Sequence, residues 1–341
     1  TSGSTGRPKG VTITHGNLEH YATAIADAAG LEPTDRVLHT ASMAFSSSVR
    51  QLIAPLLRGA TVVMARRAEV ADPRELLRLA RAQRVTVMDL VPSYWLRVVE
   101  AVDAEPALLP TSLRRSLSAS EPLPASVAAR WLQRLAPGAK MLNMYGQTET
   151  TGIVTVYDIS ADGVGDAEIV PLGRPIARTT LTIRDQFGHP LPHGFPGEIW
   201  VGSDGVGAGY RGLAELTKDR FRRDASGTRY TTGDLGVLDD AGVLRFVGRR
   251  DTQVKVRGHR VEVEEIEAVL LRHPEVSAAA VEARADAAGE ARLVAFVVAK
   301  GTAVAPRELR DALAQQLPEY MVPAAFAALD ALPRTPNGKI D

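Results

Sequence analysis

The chain has 341 residues, 45% of them hydrophobic and 23% charged, a composition ordinary for a soluble globular protein of two or three domains. Forty Lys and Arg balance forty Asp and Glu, which gives no electrostatic case for a nucleic-acid partner or an anionic membrane, and no apolar run approaches the length of a membrane span. Cysteine is absent, which excludes disulfides, thiolate metal sites and a cysteine nucleophile, fits a cytoplasmic protein, and means that any thiol in the chemistry comes from a partner.

The sequence opens on TSGSTGRPKG, without a start methionine. Gly3 and Gly6 let the backbone turn tightly and approach a ligand. Thr1, Ser2, Ser4 and Thr5 supply hydroxyls, and Lys9 supplies a cation. Amides, hydroxyls and a cation suit a polyphosphate, although the Walker spacing is missing; the alternative is a flexible linker or a terminus, and the stiff Arg-Pro-Lys-Gly that follows argues against a linker.

From about residue 60 to 145, apolar β-branched runs alternate with helical patterns. TVVMA, VTVMDLV, LRRSLSA and KMLNMYG read as strands, and PRELLRLARAQR, SYWLRVVEAV and PASVAARWLQRL as helices. This alternation predicts a largely parallel sheet flanked by helices. After residue 170 the segment TTLTIRDQFGHPLPHGFPGEIWVG predicts short strands, and LGVLDDAGVLRFVG a hairpin turning on Asp-Asp-Ala-Gly. From about 252 the order strand, helix, strand, strand, helix, short strand predicts an α+β unit of about ninety residues, an ordinary domain size.

Four segments carry candidate chemistry. NMYGQTET (143–150) follows a predicted strand, and ligands of open α/β sheets sit at the carboxyl ends of strands. There Tyr145 offers a flat face for a purine, while Thr148 and Glu149 offer a hydroxyl and a carboxylate for a phosphate-bound Mg²⁺. YTTGDLG (230–236) places Asp234 where it accepts hydrogen bonds from ribose hydroxyls; GRRDTQVKVRGHRVEVEEIE (248–267) is dense in charge; PNGKID (336–341) presents Lys339 on a turn. Each alone is read as readily as a loop, a turn or a solvated hairpin.

Taken in order with GEIWVGSDGVGAGYRG (197–212) and LPEYMVP (317–323), these segments resemble the superfamily of acyl-adenylate-forming enzymes, most closely the adenylation domains of nonribosomal peptide synthetases. The resemblance covers essentially the whole chain. It implies an α/β fold with a large lobe over 1–250 and a small mobile C-terminal domain over 251–341, hinged at Asp251. It also implies that a hundred or so upstream residues of the family, more than a small subdomain's worth, are missing, so that the large lobe is incomplete and the chain a fragment.

The implied chemistry has two steps. A small carboxylic acid attacks the α-phosphorus of ATP with Mg²⁺, releasing pyrophosphate and forming an acyl-AMP; a phosphopantetheine thiol on a carrier protein, or coenzyme A, then displaces AMP. By resemblance Lys339 bridges carboxylate and phosphate. Thr5, Gly6 and Lys9, with Thr1, Ser2, Gly3 and Ser4, hold the terminal phosphates. Thr148 and Glu149 hold the α-phosphate and Mg²⁺, Tyr145 stacks on adenine, and Asp234 and Arg249 hold the ribose; Asn143, Gly146 and Phe246 belong to the same nucleotide site. Gly258 leaves room for the pantetheine arm when the small domain has turned.

The substrate pocket by resemblance is Phe45, Ser46, Ser47, Arg50, Asp89, Ser116, Ser118, Met144, Gly152 and Ile153. Members that activate amino acids carry an aspartate where this chain has Ser46. A serine does not neutralise a buried ammonium, so the expected substrate is an aryl, keto, hydroxy or fatty acid rather than a standard α-amino acid. Asp89 is open to two pairings, with Arg50 or with a displaced amine. Two other functions compete: a stand-alone acyl-CoA ligase, and an inactive domain kept for docking a carrier.

Overall fold

The computed structural model describes residues 9–163, 168–224, 227–250, 254–256, 258–285, 291–301 and 304–333. Its larger compact unit spans Val11–Arg250. Seven strands form its main sheet in the spatial order Thr61–Met64, Arg36–His39, Val87–Leu90, Arg115–Ala119, Lys140–Gly146, Ile153–Asp158, Arg174–Pro175. The first five run parallel, Ile153–Asp158 runs antiparallel to them, and Arg174–Pro175 pairs antiparallel with Ile153–Asp158 in turn.

Strand alternation sorts the two faces. Met88, Leu90 and Met141 pack into a core with Trp95 and Trp131 from the Pro92–Ala104 and Ala125–Leu132 helices, the two indoles 4.9 Å apart. Val87, Leu117, Ala119, Leu142 and Met144 point the other way, against Tyr21 and Ile25 of the His15–Ala28 helix and Ala54 of the Ser46–Leu57 helix. The Pro73–Ala82 helix starts where Asp72 accepts a bond from the Arg74 amide with proline in its first turn, a strong N-terminal signal. The parallel sheet and its helices thus follow the sequence rhythm. The two helices at 15–28 and 46–57 do not announce themselves in that rhythm. Both bury much of their surface, so apolar and small residues surround them instead of forming one stripe.

The β-rich section pairs Phe221–Asp224, Gly227–Leu238, Gly197–Ser203 and Thr179–Arg184 in that order, with Leu244–Arg249 returning along Gly227–Leu238. The hairpin turn expected at Asp-Asp-Ala-Gly is present: Asp239 Oδ1 accepts from the Ala241 and Val243 amides, and Gly242 takes φ +71.

The second unit comprises residues 251–341 together with the first ten, of which Lys9 and Gly10 are described. Its hairpin Val254–Val256/His259–Val261 leads to a helix Val263–Leu270, the antiparallel strands Val276–Ala285 and Ala291–Ala299, a helix Pro306–Ala314 and a parallel strand Ala325–Ala328. One apolar cluster around Ile266, Leu293, Ala295 and Leu313 joins them. No helix among the described residues is long and apolar enough to cross a membrane.

Candidate active site

The central strand Lys140–Gly146 ends on a loop that returns as Ile153–Asp158. The neck of this loop is closed by glycine. A Cβ on Gly146 would lie 2.0 Å from the Gly152 carbonyl oxygen, and a Cβ on Gly152 would lie 2.3 Å from Cζ of Tyr21, so neither position holds a side chain without displacing its neighbours. Thr151 closes the short helical turn Thr148–Thr150 in the left-handed region at φ +65, and its hydroxyl donates to Gly205 O at 2.7 Å.

Around this loop, residues distant in sequence converge. Asp234 is fully buried, and its carboxylate accepts from the Tyr145 hydroxyl at 2.6 Å, from Gln147 Nε2 at 2.6 Å and from Arg249 Nη1. The Asp234 amide bonds the Thr232 hydroxyl, which donates on to Ile199 O. The Gly233 amide bonds Glu198, whose other oxygen lies 3.2 Å from Arg250. Burial, reinforced by the charge of Asp234, holds the Tyr145 phenol well above its ordinary pKa, so it stays a donor. Two residues beyond Gln147, Glu149 is 1% exposed; Tyr210 donates to its Oε1 at 2.8 Å, and its backbone oxygen accepts from Gly207. Burial and then the Glu149 charge push the Tyr210 phenol up as well.

Of the nucleotide residues expected from sequence, Asn143, Tyr145, Gly146, Thr148, Glu149, Asp234, Phe246 and Arg249 therefore lie on one connected region of the larger unit. Asn143 donates to Pro171 O at 2.9 Å while its own Oδ1 is buried with no partner. The Tyr145 ring is 4% exposed and packed with Val154, Leu172 and Leu244. Gln147, Tyr210, Glu198 and Thr232 complete the cluster. Sequence reasoning gives them no role, although each is a polar side chain inside a quoted motif, and burial of a polar group demands a partner.

Thr1, Ser2, Gly3, Ser4, Thr5, Gly6, Asp251 and Lys339 lie outside the described residues. Lys9, expected on phosphates, has its Nζ 3.6 Å from Glu262 Oε1, both side chains under a tenth exposed. Gly258 sits in the turn between two short strands at φ +79.

The substrate-pocket residues divide. Arg50, Asp89, Met144, Gly152 and Ile153 share the sheet face that Tyr21 covers, and Ser46 and Ser47 open the helix that carries Arg50. Ser116 and Ser118 do not belong there. The Ser116 hydroxyl accepts from Trp131 Nε1 at 2.8 Å on the opposite face, and Ser118, two residues on, faces the same way. Leu117 and Ala119 hold the pocket-side positions of that strand, so the expectation for this strand is one residue out of phase. Asp89 takes the first of its two expected pairings: Arg50 Nε reaches its Oδ2 at 2.7 Å and Nη2 its Oδ1 at 3.0 Å, so both oxygens face the guanidinium.

The donor set suits Mg²⁺. Among the described residues no three His, Cys, Asp or Glu side chains group to hold a metal. Glu149 stands as a single carboxylate, which matches an ion that takes one or two protein carboxylates and completes its shell with phosphate oxygens and water.

The AMP-binding enzyme model matches residues 1–211, and the AMP-binding enzyme C-terminal domain model matches residues 265–339. A linear gramicidin synthase of Brevibacillus parabrevis is 41% identical over 347 aligned positions, covering all of this chain and 6% of that protein. Two solved structures superpose over the full chain. One is holo-PA1221, a nonribosomal peptide synthetase protein containing adenylation and PCP domains, with TM-score 0.86, 29% identity and 58% of that chain covered. The other is the Vibrio cholerae adenylation domain AlmE in complex with glycyl-adenosine-5'-phosphate, with TM-score 0.87, 30% identity and 64% of that chain covered. The chain thus spans a small part of the synthetase and about three fifths of the solved adenylation proteins. It belongs to the AMP-binding enzyme family.

Proposed function

We propose that this chain activates a carboxylic acid as its acyl-AMP. The acid's carboxylate oxygen attacks the α-phosphorus of ATP, the bond to the β-phosphate oxygen breaks, and pyrophosphate leaves. A phosphopantetheine thiolate, carried by a carrier protein in cis or in trans, then attacks the acyl carbon and AMP departs. The observation that supports this reading best is the convergence of Tyr145, Gln147, Glu149, Tyr210, Asp234 and Arg249 at the carboxyl end of the central strand.

In this reading Asp234 exchanges an internal donor for ribose hydroxyls, Tyr145 borders the base, and Glu149 and Thr148 would hold Mg²⁺. The ion, when bound, offsets charge on the phosphates. Lys339 supplies the ammonium that lets two anions meet, Lys9 serves the terminal phosphates, Asp251 is the hinge and Gly258 borders the thiol's path. The reaction is mainly positioning and charge stabilisation, so the chain needs no nucleophile of its own. Ser46, in place of an ammonium-binding carboxylate, supports an acid without an α-amine. Acid-dependent ATP–pyrophosphate exchange by the full-length protein is the test. Exchange above background with any acid is the expected result; silence across amino, hydroxy, keto, aryl and fatty acids would overturn the reading.

A further inference from the structure

On the sheet face that Tyr21 covers lies a buried polar group that the nucleotide chemistry does not use. Arg50 sits four residues after Ser46 on the same helix, hence on the same face and about 6 Å deeper. Its guanidinium carries five N–H donors, of which Asp89 engages two. The Tyr21 hydroxyl faces the guanidinium, yet lies outside hydrogen-bond geometry and is buried without a partner. His39 is the third member. Val37 pairs with Val87 across the two strands, which puts His39 level with Asp89 and on the same face. Its Nε2 is also buried without a partner. One layer deeper, Val37, Ala54, Val87 and Leu117 enclose a small apolar cavity, so the polar group is a floor with an apolar void below it.

Two orphaned polar atoms, one facing a guanidinium with idle donors and one on the strand position level with its carboxylate partner, form a costly arrangement unless a ligand completes it. Burial lowers the pKa of His39, so the ring is neutral, with one N–H and one bare nitrogen. Arg50 and Asp89 together are charge-neutral. The floor therefore offers donors from Arg50, an unpaired imidazole nitrogen at His39, and a hydroxyl at Tyr21 that donates or accepts. An ammonium would have to compete with the Arg50 guanidinium for the Asp89 carboxylate, and a second carboxylate would bring an uncompensated buried charge. A hydroxyl, which both accepts and donates, satisfies the set.

We propose that Tyr21, His39 and the idle edge of Arg50 select a hydroxy acid, with its hydroxyl deeper in the pocket than the α-carbon. This rests on the acid-activating reading above. The test is ATP–pyrophosphate exchange by the full-length protein on two matched sets: 3-hydroxybutyrate, butyrate, 3-aminobutyrate and succinate; and 4-hydroxybenzoate, benzoate, 4-aminobenzoate and terephthalate. In at least one set the hydroxy acid should exceed its deoxy partner in kcat/KM by about a hundredfold or more. Tyr21→Phe keeps the ring against Gly152 and should cut that advantage about tenfold, read as the ratio of hydroxy to deoxy acid in the variant against the same ratio in the native protein. Arg50→Met with Asp89→Leu should erase it. An amino, dicarboxylic or deoxy acid preferred by the native protein would overturn the proposal, as would Tyr21→Phe slowing both members of a pair equally. Exchange with α-amino acids alone overturns the hydroxy-acid floor and leaves acid activation standing; silence with every acid overturns both.

Discussion

The hydroxyl of Tyr145 donates to Asp234 at 2.6 Å across 89 positions of sequence, and Arg249 meets the other oxygen of the same carboxylate. The three side chains tie the parallel sheet to the β-rich section. Asp234→Asn removes the charge that Arg249 faces and should cost about 3 kcal/mol of stability. Tyr145→Phe leaves Gln147 and Arg249 on the carboxylate and should cost about 1 kcal/mol. Urea unfolding of the two variants separates the cases; equal losses would show that Arg249 does not depend on Asp234.

The Arg50–Asp89 pair gives a second stability prediction. Asp89→Ala leaves a guanidinium uncompensated and should destabilise by about 3–5 kcal/mol, whereas Arg50→Met with Asp89→Leu should be near neutral or stabilising. A double-mutant cycle by denaturant titration reads this directly, and simple additivity of the two single changes would refute the coupling.

At Gly152 the close approach of Tyr21 leaves no room for a methyl group. Gly152→Ala should cost at least about 1–3 kcal/mol through overpacking. Adding Tyr21→Leu should restore most of it, since the clash is with the ring. A thermal melt in which the second change brings no recovery would place the strain elsewhere.

Acid should weaken the fold partly through Asp35. Burial alone would raise its pKa, but Arg114, the Glu32 amide and the Thr86 hydroxyl outweigh it and hold the carboxyl below the usual range. A depressed folded pKa means stability present above the unfolded value of about 3.9 and lost as pH falls through the folded value. Asp35→Asn should therefore lower stability at neutral pH and flatten its decline below about pH 4. A variant that keeps the native acid limb would remove Asp35 from that account.

Lys339 carries the catalytic prediction. Lys339→Ala in the full-length protein should depress pyrophosphate exchange by about a hundredfold or more. Thiolation of pre-formed acyl-AMP should change by no more than a few-fold. Equal loss in both steps would reject the bridging role.

Much of this molecule is legible in the sequence because the signal is local. The strands at 61–64, 87–90, 115–119 and 140–146 and the helices between them follow from period and punctuation alone. So do the hairpin at 239–242 and the order of elements after 252. The His15–Ala28 and Ser46–Leu57 helices escape because tertiary burial on several sides erases a single apolar stripe. At the site, motifs point to Tyr145, Glu149, Asp234 and Arg249. Period does not decide the phase of RSLSA, in which every residue from 116 to 119 is buried, and this is why Ser116 and Ser118 are expected on the wrong face. Tyr21 and His39 belong to no motif, and only the fold brings them to the sheet face that carries Arg50 and Asp89.

The glycine neck at 146 and 152 has a consequence for binding. Because the loop bearing Gln147, Thr148 and Glu149 is cinched at its base by backbone alone, its shape is inherited from the sheet and exists before anything arrives. A guest entering there meets a rigid mould, forfeits little chain freedom, and should show a heat-capacity change set by the surface it covers and not by local folding.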